Sequence, residues 1–431
     1  MKRVELPLPA PLFGLLLGAA AAAAFLACGD ANDGAPSPSP PDAAGPSCES
    51  TRTCAEGSVD SPVALPETST DARTDAPRDA TDEDSMRAPV VVGCIPQEVG
   101  TRYDAKWHFG FGCEATWSTT GQLTLTAATV SNEGSEGTAA AADPKTGALV
   151  AWSDGINLFD GARTKKNTAP LGGAYGASQA VAFVGAPGST SAFYVVTNKS
   201  DIEQIGGGLY VTPIGCGDLQ PSAAPTLIAG TEGVTEALAT VRHANDVDRW
   251  VLSAAPTGVV VIKVTSAGIG APAITPWGAA LSGVVEHQRA FIAFARDRRT
   301  FAITAEGLGL VVGTFDNATG AVAGLRAISV PSTAKLYSAA FSPNKTKLYA
   351  SEWSGSFWQI DLSAGDAVTA LGASGGALRL AIDDKIYLSS YDAPLTVITN
   401  PNAAPPALAI GSLPLPTGCM ATYGLPGVND L

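Results

Sequence analysis

Residues 142–161 read ADPKTGALVAWSDGINLFDG and hold two turn signals, DPKTG and SDG, with a short apolar run after each. Aspartate, proline and glycine favour tight hairpin turns, because they adopt the required backbone angles or bond their own backbone. The apolar runs ALVAW and INLF have the length of short strands. This stretch therefore predicts turns that join successive β-strands, and the fold depends on whether the unit is isolated or repeated.

The unit is repeated along the chain. Four clear copies occupy residues 241–264, 293–316, 340–362 and 380–402, and residues 182–214 form a looser one. The first turns of the copies are 40 to 58 residues apart and lie at Asp143, Gly185, His243, Arg296, Pro343 and Asp383. Repeats of roughly 40 to 50 residues with several strands each are typical of propeller blades. A sandwich would give no reason for this spacing.

The repeats predict an all-β fold with a single β-propeller of seven blades, and six blades are the alternative. Six copies are clear, and residues 103–117 together with residues 407–426 complete the seventh and close the ring. In each blade, the strand before the first turn is expected to lie nearest the central axis. The propeller domain is predicted to span residues 94–431.

The N-terminus has the pattern of an export signal. Two basic residues precede an uncharged apolar run, Pro11–Ala27, which ends in the sequence FLACG (25–29). This ending resembles the lipobox of bacterial lipoproteins, in which the cysteine is lipidated and becomes the mature N-terminus. We therefore expect residues 1–27 to be a signal peptide and Cys28 to carry a lipid anchor. Cleavage after Ala27 without lipidation is the alternative.

Residues 28–93 differ in composition from the rest of the chain. They are rich in proline, serine, alanine and acidic residues and contain almost no aromatic side chain. A segment that buries little apolar surface cannot offset the entropy lost on ordering. We therefore predict a disordered acidic linker that holds the propeller away from the membrane.

The charge balance limits the expected partners. With 26 basic and 40 acidic residues the net charge is −14, and nucleic acid binding needs the clustered lysine and arginine that this chain lacks. The expected partners are a protein or glycan of the cell envelope and the membrane, through the lipid anchor. We expect a monomer at the cell envelope, on the non-cytoplasmic side, with the outer membrane or the cell surface as the preferred location.

The remaining cysteines predict disulfides, because an even number in an exported protein favours pairing over metal binding. No CxxC pair is present, and six cysteines allow 15 pairings. The shortest loops would join Cys48 to Cys54 and Cys94 to Cys113, which leaves Cys216 and Cys419 as the third pair.

Several motifs occur in an order that resembles a known family. They are KWHFGFG (106–112), SNEGSEGTAAAADPKTGALVAWSDGINLFD (131–160), FSPNKTKLYAS (341–351), DDKIYLSSY (383–391) and the terminal YGLP (423–426). Together they are similar to the propeller region of many exported surface proteins of gliding bacteria. The resemblance covers about residues 95–427. It implies an exported propeller of undefined ligand, and it implies no catalytic residue.

Ligands of propellers usually bind on the loops at one end of the central channel, so polar residues near that end are the candidates. Glu133 and Glu136 in SNEGSEG precede the first clear inner strand, Asp154 lies in the SDG turn, and His243 lies in another turn. No metal or cofactor site is predicted, because the three histidines are scattered and turns such as that at Asp143 lack the alternating acids of a calcium loop.

The sequence thus predicts a lipid-anchored binding or scaffolding module of the cell envelope rather than an enzyme. A subunit of an envelope assembly is one alternative. The other is a propeller enzyme of lyase, lactonase or glycosidase type that acts on cell-surface material. Two or more carboxylates or histidines that converge at one mouth of the channel would favour the enzyme, because glycoside cleavage needs paired carboxylates.

Overall fold

The structure is a computed structural model of the 431-residue chain. It describes residues 102–128, 136–143, 145–174, 176–200, 207–278, 289–331 and 335–427. The predicted signal peptide and acidic linker (residues 1–27 and 28–93) lie outside the described residues, and so do Cys28, Cys48, Cys54 and Cys94. Within the described part of the chain, no helix has the length and apolarity needed to cross a bilayer.

Seven antiparallel sheets, the blades, contain every regular element of the described residues. Blade 1 contains β1 (Lys106–Phe109), β2 (Cys113–Trp117) and β3 (Leu123–Ala127). Blade 2 contains β4 (Ala139–Ala142), β5 (Leu149–Ser153) and β6 (Leu158–Asp160). Blade 3 contains β7 (Val181–Gly185), β8 (Ala192–Asn198), β9 (Leu209–Gly215) and β10 (Thr226–Leu227). Blade 4 contains β11 (Ala239–Arg242), β12 (Arg249–Ala255), β13 (Gly258–Thr265), β14 (Gly268–Ile269) and β15 (Ala273–Pro276).

The last three blades have four strands each, paired in chain order. Blade 5 contains β16 (Ala290–Phe294), β17 (Thr300–Ala305), β18 (Gly309–Asp316) and β19 (Ala321–Ile328). Blade 6 contains β20 (Leu336–Phe341), β21 (Lys347–Glu352), β22 (Ser356–Asp361) and β23 (Ala367–Ala373). Blade 7 contains β24 (Ala377–Leu380), β25 (Ile386–Ser389), β26 (Leu395–Ile398) and β27 (Leu408–Leu413). The predicted all-β propeller of seven blades is confirmed.

The first strand of each of blades 2 to 7 lies toward the centre of the ring, and we call these six the inner strands. Inner strands of neighbouring blades contact each other, for example β4 with β7 and β16 with β20. The whole of β20 is buried, whereas most of β19, the last strand of blade 5, is partly or fully exposed. Burial on both faces explains why the inner strands read as continuous apolar runs, such as AFIAF in β16.

The repeated first turns share one backbone geometry. In each of blades 4 to 7, one residue of the turn has a positive φ and donates its N–H to the carbonyl of the residue three positions earlier. The φ values lie between 55° and 64°, at Asp246, Arg298, Lys345 and Asp384. None of these residues is a glycine, so the turn geometry follows from the hairpin connection itself, as in three-residue loops with one left-handed position.

Large aromatic side chains fill the interfaces between blades. Trp107 and Trp117 of blade 1 contact Tyr387 of blade 7, with ring centroids 5.8 Å apart in each case. Trp358 is buried in the cluster shared by blades 5 and 6. Trp358 therefore packs between blades. Trp353, five residues earlier in the sequence, has a different environment that is described below.

The two ends of the described chain meet in blade 1. Phe111 and Met420 exchange two backbone hydrogen bonds of 2.8 and 3.1 Å, and a disulfide joins Cys113 of β2 to Cys419, across a sequence separation of 306 residues. Residues 103–117 therefore close the ring with residues 419–420, as predicted, whereas residues 408–413 of the predicted closing segment form β27 in blade 7.

Two of the three predicted cysteine pairs were wrong, and the third, Cys48–Cys54, lies outside the described residues. Cys113 pairs with Cys419, so neither Cys94–Cys113 nor Cys216–Cys419 exists. Cys216 is disulfide-bonded as well. The shortest-loop assumption fails because ring closure brings the most distant parts of the sequence together.

Candidate binding site at the upper mouth of the channel

The inner strands all start at the same end of the ring, which we call the upper mouth of the channel. Glu136, Ser178 and Glu236 each stand three residues before an inner strand, β4, β7 and β11 respectively, and Arg289 stands directly before β16. Tyr337 is the second residue of β20. Five blades therefore contribute one polar side chain each to the same end of the channel.

Glu236 is the most deeply buried acid of this site, with 1% of its surface exposed. Its Oε2 accepts hydrogen bonds from the backbone N–H of Ser178, at 2.9 Å, and from the Ser178 hydroxyl. Burial, followed by the negative charge of Glu136, raises the pKa of Glu236 to about 8. Glu236 therefore holds a proton at neutral pH and can donate it in a hydrogen bond.

Tyr337 connects the site across the channel. Its hydroxyl donates a hydrogen bond of 2.7 Å to Oε2 of Glu136. Burial, together with the charge of Glu136, raises the pKa of Tyr337 well above its usual value, so the phenol stays a donor. Two neighbouring acids thus have different partners: Glu136 accepts from a phenol, and Glu236 accepts from a serine.

An aromatic row leads from this acid pair to the surface. Tyr337 contacts Tyr423, with ring centroids 6.4 Å apart, and Tyr423 contacts Tyr391 at 5.6 Å. Tyr391 is 50% exposed. Trp353 lies beside Tyr423 in an edge-to-face contact at 6.0 Å. The row therefore presents an accessible ring next to buried hydrogen-bonding groups.

Two cations already contact the ring of Trp353. The guanidinium of Arg289 lies 5.2 Å from the ring centroid and the ammonium of Lys335 lies 5.8 Å from it. Arg289 also pairs with Glu306, at 3.3 Å. Because these contacts occupy Trp353, the rings of Tyr391 and Tyr423 are the aromatic surfaces left for a ligand.

Gln179 joins three blades next to the site. Its side-chain oxygen accepts from the N–H groups of Leu238, at 3.0 Å, and Ile292, at 2.8 Å, and its side-chain nitrogen donates to the Ile292 carbonyl at 3.1 Å. One amide from blade 3 therefore satisfies backbone groups of blades 4 and 5 that no neighbouring strand reaches.

The C-terminal segment fixes the position of Glu136 from the other side. A Cβ atom on Gly424 would lie 1.6 Å from the carbonyl oxygen of Glu136. Only a glycine allows this approach. The terminal YGLP motif thus has a physical role in this structure, because Tyr423 belongs to the aromatic row and Gly424 packs against Glu136.

The predicted mouth residues do not all meet. Glu136 belongs to the upper mouth, and Glu133 lies outside the described residues. Asp154 is fully buried and its Oδ1 accepts from the N–H groups of Ile156 and Asn157, so it holds the β5–β6 turn. His243 lies at the other end of the channel.

The ring of His243 is held within its own turn. Its Nδ1 accepts from the N–H of Asn245 at 3.0 Å, and the ring stacks on Trp250. Among the described residues, no group of three or more histidines, cysteines and acids is placed to hold a metal ion. The absence of a metal site in the whole chain stays a prediction.

Ser178, Gln179, Glu236 and Tyr337 are site residues that the sequence analysis did not identify. A usable signal existed for two of them, because Ser178 and Glu236 hold the same position before their inner strands as Glu136 does. Aligning the blades by inner strand instead of by turn would have placed these three residues side by side.

Comparison with known proteins identifies no family. No protein-family model and no curated protein matches the sequence, so the resemblance to surface proteins of gliding bacteria is not confirmed. A solved structure of a proposed 6-phosphogluconolactonase from Bacteroides fragilis is similar at 12% identity and a TM-score of 0.45, over 75% of this chain and 98% of that one.

A second similar structure is that of apo AztD from Citrobacter koseri. It has 11% identity and a TM-score of 0.39, over 74% of this chain and 96% of that chain. Neither likeness carries an activity or a ligand over to this chain.

Proposed function

We propose that this protein is an exported, lipid-anchored propeller that binds a neutral glycan of the cell envelope at the upper mouth. One observation carries the proposal: Glu236, Glu136 and Tyr337 from three blades converge beside an accessible aromatic row. Lipidation at Cys28 would hold the propeller at the membrane.

The chemistry of the site supports a ligand rich in hydroxyl groups. At neutral pH the protonated Glu236 can donate a hydrogen bond, and the hydroxyl oxygens of Ser178 and Tyr337, whose protons go to Glu236 and Glu136, can accept one. The exposed ring of Tyr391 offers an apolar face with little conformational entropy to lose. Sugars need this combination, because a pyranose has hydroxyl groups at its edge and C–H groups on its face.

The charges of the site argue against an acidic ligand. Glu136 is negative and raises the pKa of Glu236, so it would repel a nearby anion. Arg289 already pairs with Glu306, and both Arg289 and Lys335 are held at the ring of Trp353. A neutral oligosaccharide is therefore the best match.

The test is to measure binding of the full chain to an array of immobilised neutral and acidic oligosaccharides. We expect saturable binding to neutral members, and a loss of about tenfold or more for Tyr391→Ala. Ile410→Ala is the matched control, because Ile410 is 59% exposed on the outer strand of the same blade. Preference for acidic members, or equal binding by the Tyr391→Ala variant, would contradict the proposal.

A second candidate function is hydrolysis or lyase chemistry at the same place. It is favoured by the raised pKa of Glu236, about 8, next to the charge of Glu136, since acid–base catalysis uses pairs of groups whose pKa values are pushed apart. In this reading Glu236 is the general acid and Glu136 the base.

The Glu236→Gln variant separates the two functions. It keeps the shape and neutrality of the protonated acid, so glycan binding should persist. An enzyme would lose its turnover, measured as release of reducing ends or unsaturated products from the bound oligosaccharide. Turnover by wild type that disappears in Glu236→Gln would establish the enzyme, and no product from either protein would leave binding as the function.

A further inference from the structure

Cys216 forms a disulfide whose partner lies outside the described residues. Cys216 is disulfide-bonded, and the other two cysteines in the described part of the chain, Cys113 and Cys419, are bonded to each other. The sequence holds seven cysteines, so the partner is one of the four that precede residue 102. The position of Cys216 in the folded ring indicates which of the four it is.

Cys216 lies at the end of the ring where the inner strands finish. It directly follows β9, the third strand of blade 3, and its N–H donates to the carbonyl of Ser191, at 2.9 Å, in the connection between β7 and β8. It packs against an apolar cluster that blades 2 and 3 share, with Ala151 and Phe193 among its members. Cys216 therefore lies on the outer part of blade 3, beside blade 2.

Arg102 and Tyr103 lie at the same end of the neighbouring blade, blade 2. The carbonyl of Tyr103 accepts from the N–H of Ala142, the last residue of β4, at 3.4 Å. Arg102 lies beside the turn that follows, because a Cβ atom on Gly147 would stand 2.8 Å from its guanidinium. This turn joins the inner strand β4 to β5. The fold thus fixes Arg102 one blade away from Cys216.

The distance between these two positions is short. Neighbouring strands of a sheet are about 4.8 Å apart, and packed sheets are about 10 Å apart. Two strand spacings, from β7 to β9, and one sheet spacing, from blade 2 to blade 3, put Cys216 on the order of 15 Å from Arg102. Cys94 precedes Arg102 by eight residues, and eight residues can span up to about 28 Å. Cys94 can therefore reach Cys216.

The other three cysteines are at least 48 residues before Arg102. A longer segment reaches Cys216 less often, because the entropy lost on closing a loop increases with its length. Between segments of eight and 48 residues the difference is about 15-fold. This comparison starts at a residue whose place in the ring is known. The sequence alone shows only that Cys94 and Cys216 are 122 residues apart.

We infer that Cys94 and Cys216 form a disulfide that attaches the segment before blade 1 to the outer part of blade 3 and stabilises the propeller. Each thiol loses one proton and one electron, and the two electrons reduce the disulfide of a thiol–disulfide exchange protein to two thiols. The bond crosses blade 2 and closes a loop of 122 residues, which restricts the unfolded chain.

A tryptic map of the full chain, made without reductant after alkylation of free thiols, tests the pairing. Cleavage after lysine and arginine puts Cys94 in peptide 88–102 and Cys216 in peptide 200–242. We expect these two peptides to be recovered as one linked species that reduction separates. The other three cysteines lie in peptides that end at residues 52 and 73, so any other partner gives a different mass.

Serine variants measure what the bond does. Cys94→Ser should leave Cys216 as a free thiol that is alkylated after denaturation. The double variant Cys94→Ser and Cys216→Ser should melt several degrees below wild type. The matched control is Cys48→Ser with Cys54→Ser, which also removes two cysteines but changes only the predicted linker. It should keep the linked peptide and the melting midpoint of wild type.

Two results would overturn the inference. Recovery of peptide 200–242 linked to any peptide other than 88–102 would exclude the pairing. A Cys94→Ser and Cys216→Ser variant that melts as wild type does would exclude the stabilisation. Neither measurement involves a glycan or a lipid on Cys28. Failure here therefore leaves the proposed function untouched.

Discussion

The phenol of Tyr337 on blade 6 donates a 2.7 Å hydrogen bond to Glu136, which precedes the inner strand of blade 2. This contact joins blades that are not neighbours, and it spans 201 residues of sequence. It therefore links the two sides of the channel directly, in addition to the contacts between adjacent blades.

Replacement of Tyr337 with phenylalanine should destabilise the propeller by about 1 to 3 kcal/mol, because a hydrogen bond to a charged acceptor is lost without a change in shape. The urea midpoint of the full chain measures the effect. Tyr391→Phe, at a half-exposed position of the same aromatic row, should leave the midpoint almost unchanged. Equal midpoints for wild type and Tyr337→Phe would show that the contact contributes nothing.

Stability should depend on the protonation of Glu236. Its pKa is raised to about 8 in the folded protein, from 4.5, so the folded state binds the proton more tightly than the unfolded state. The stabilisation from this group is fully present below about pH 4.5 and is lost as pH rises toward 8. The total loss is on the order of a few kcal/mol.

Urea unfolding at several pH values between 5 and 8 tests this dependence. The difference between wild type and Glu236→Gln isolates the group, because all other titratable groups are the same in both proteins. Glu236→Gln should become the more stable of the two as pH approaches 8. Parallel curves for the two proteins over this range would rule out the raised pKa.

The Cys113–Cys419 disulfide should make a large contribution to stability, since it spans 306 residues and restricts the unfolded chain strongly. Replacing both cysteines with serine should lower the free energy of unfolding by about 2 to 5 kcal/mol. Mass mapping of proteolytic fragments without reductant should recover the two segments as one linked peptide. Recovery of Cys113 joined to any other cysteine would refute the Cys113–Cys419 pairing.

Gly424→Ala should disturb the upper mouth, because the added methyl group would overlap the carbonyl oxygen of Glu136. We expect a destabilisation of more than about 1 kcal/mol, together with weaker glycan binding. Gly427→Ala is the matched control, because a Cβ atom there would meet nothing closer than 3.6 Å. The two variants should differ clearly in thermal melting, and similar melting curves would contradict the close approach.

Cys28→Ser should release the protein from membranes, since a lipid on Cys28 is the proposed attachment. Fractionation of cells that produce wild type and variant measures the change. The acylated protein should also show a mass increase at its N-terminal peptide. An unchanged membrane fraction for Cys28→Ser would show that the lipobox prediction is wrong.

The fold was predictable because turns are local. Motifs such as DPKTG and SPNKT recur along the chain, and each requires only a few neighbouring residues to form. The spacing of the turns then identified blades, and the apolar run before each turn identified the inner strand. The number of blades followed as well, although the predicted composition of the closing blade was wrong in part, because residues 408–413 pair within blade 7.

The site was predictable only in part, because its contacts depend on the closed ring. Glu136 was identified from its place before an inner strand, yet its partner Tyr337 lies 201 residues away. The cysteine pairing failed for the same reason, since loop length says nothing about which blades a closed ring brings together. Asp154 and His243 looked like site residues, but each is held in a turn.

Tyr103 and Asp104 line a cavity at the end of the channel where the inner strands finish. The proposed glycan site lies at the other end of the channel. The two ends of the channel therefore differ in chemistry, since acids and tyrosine rings surround one end and apolar side chains form much of the other. A ligand would meet a different surface from each side.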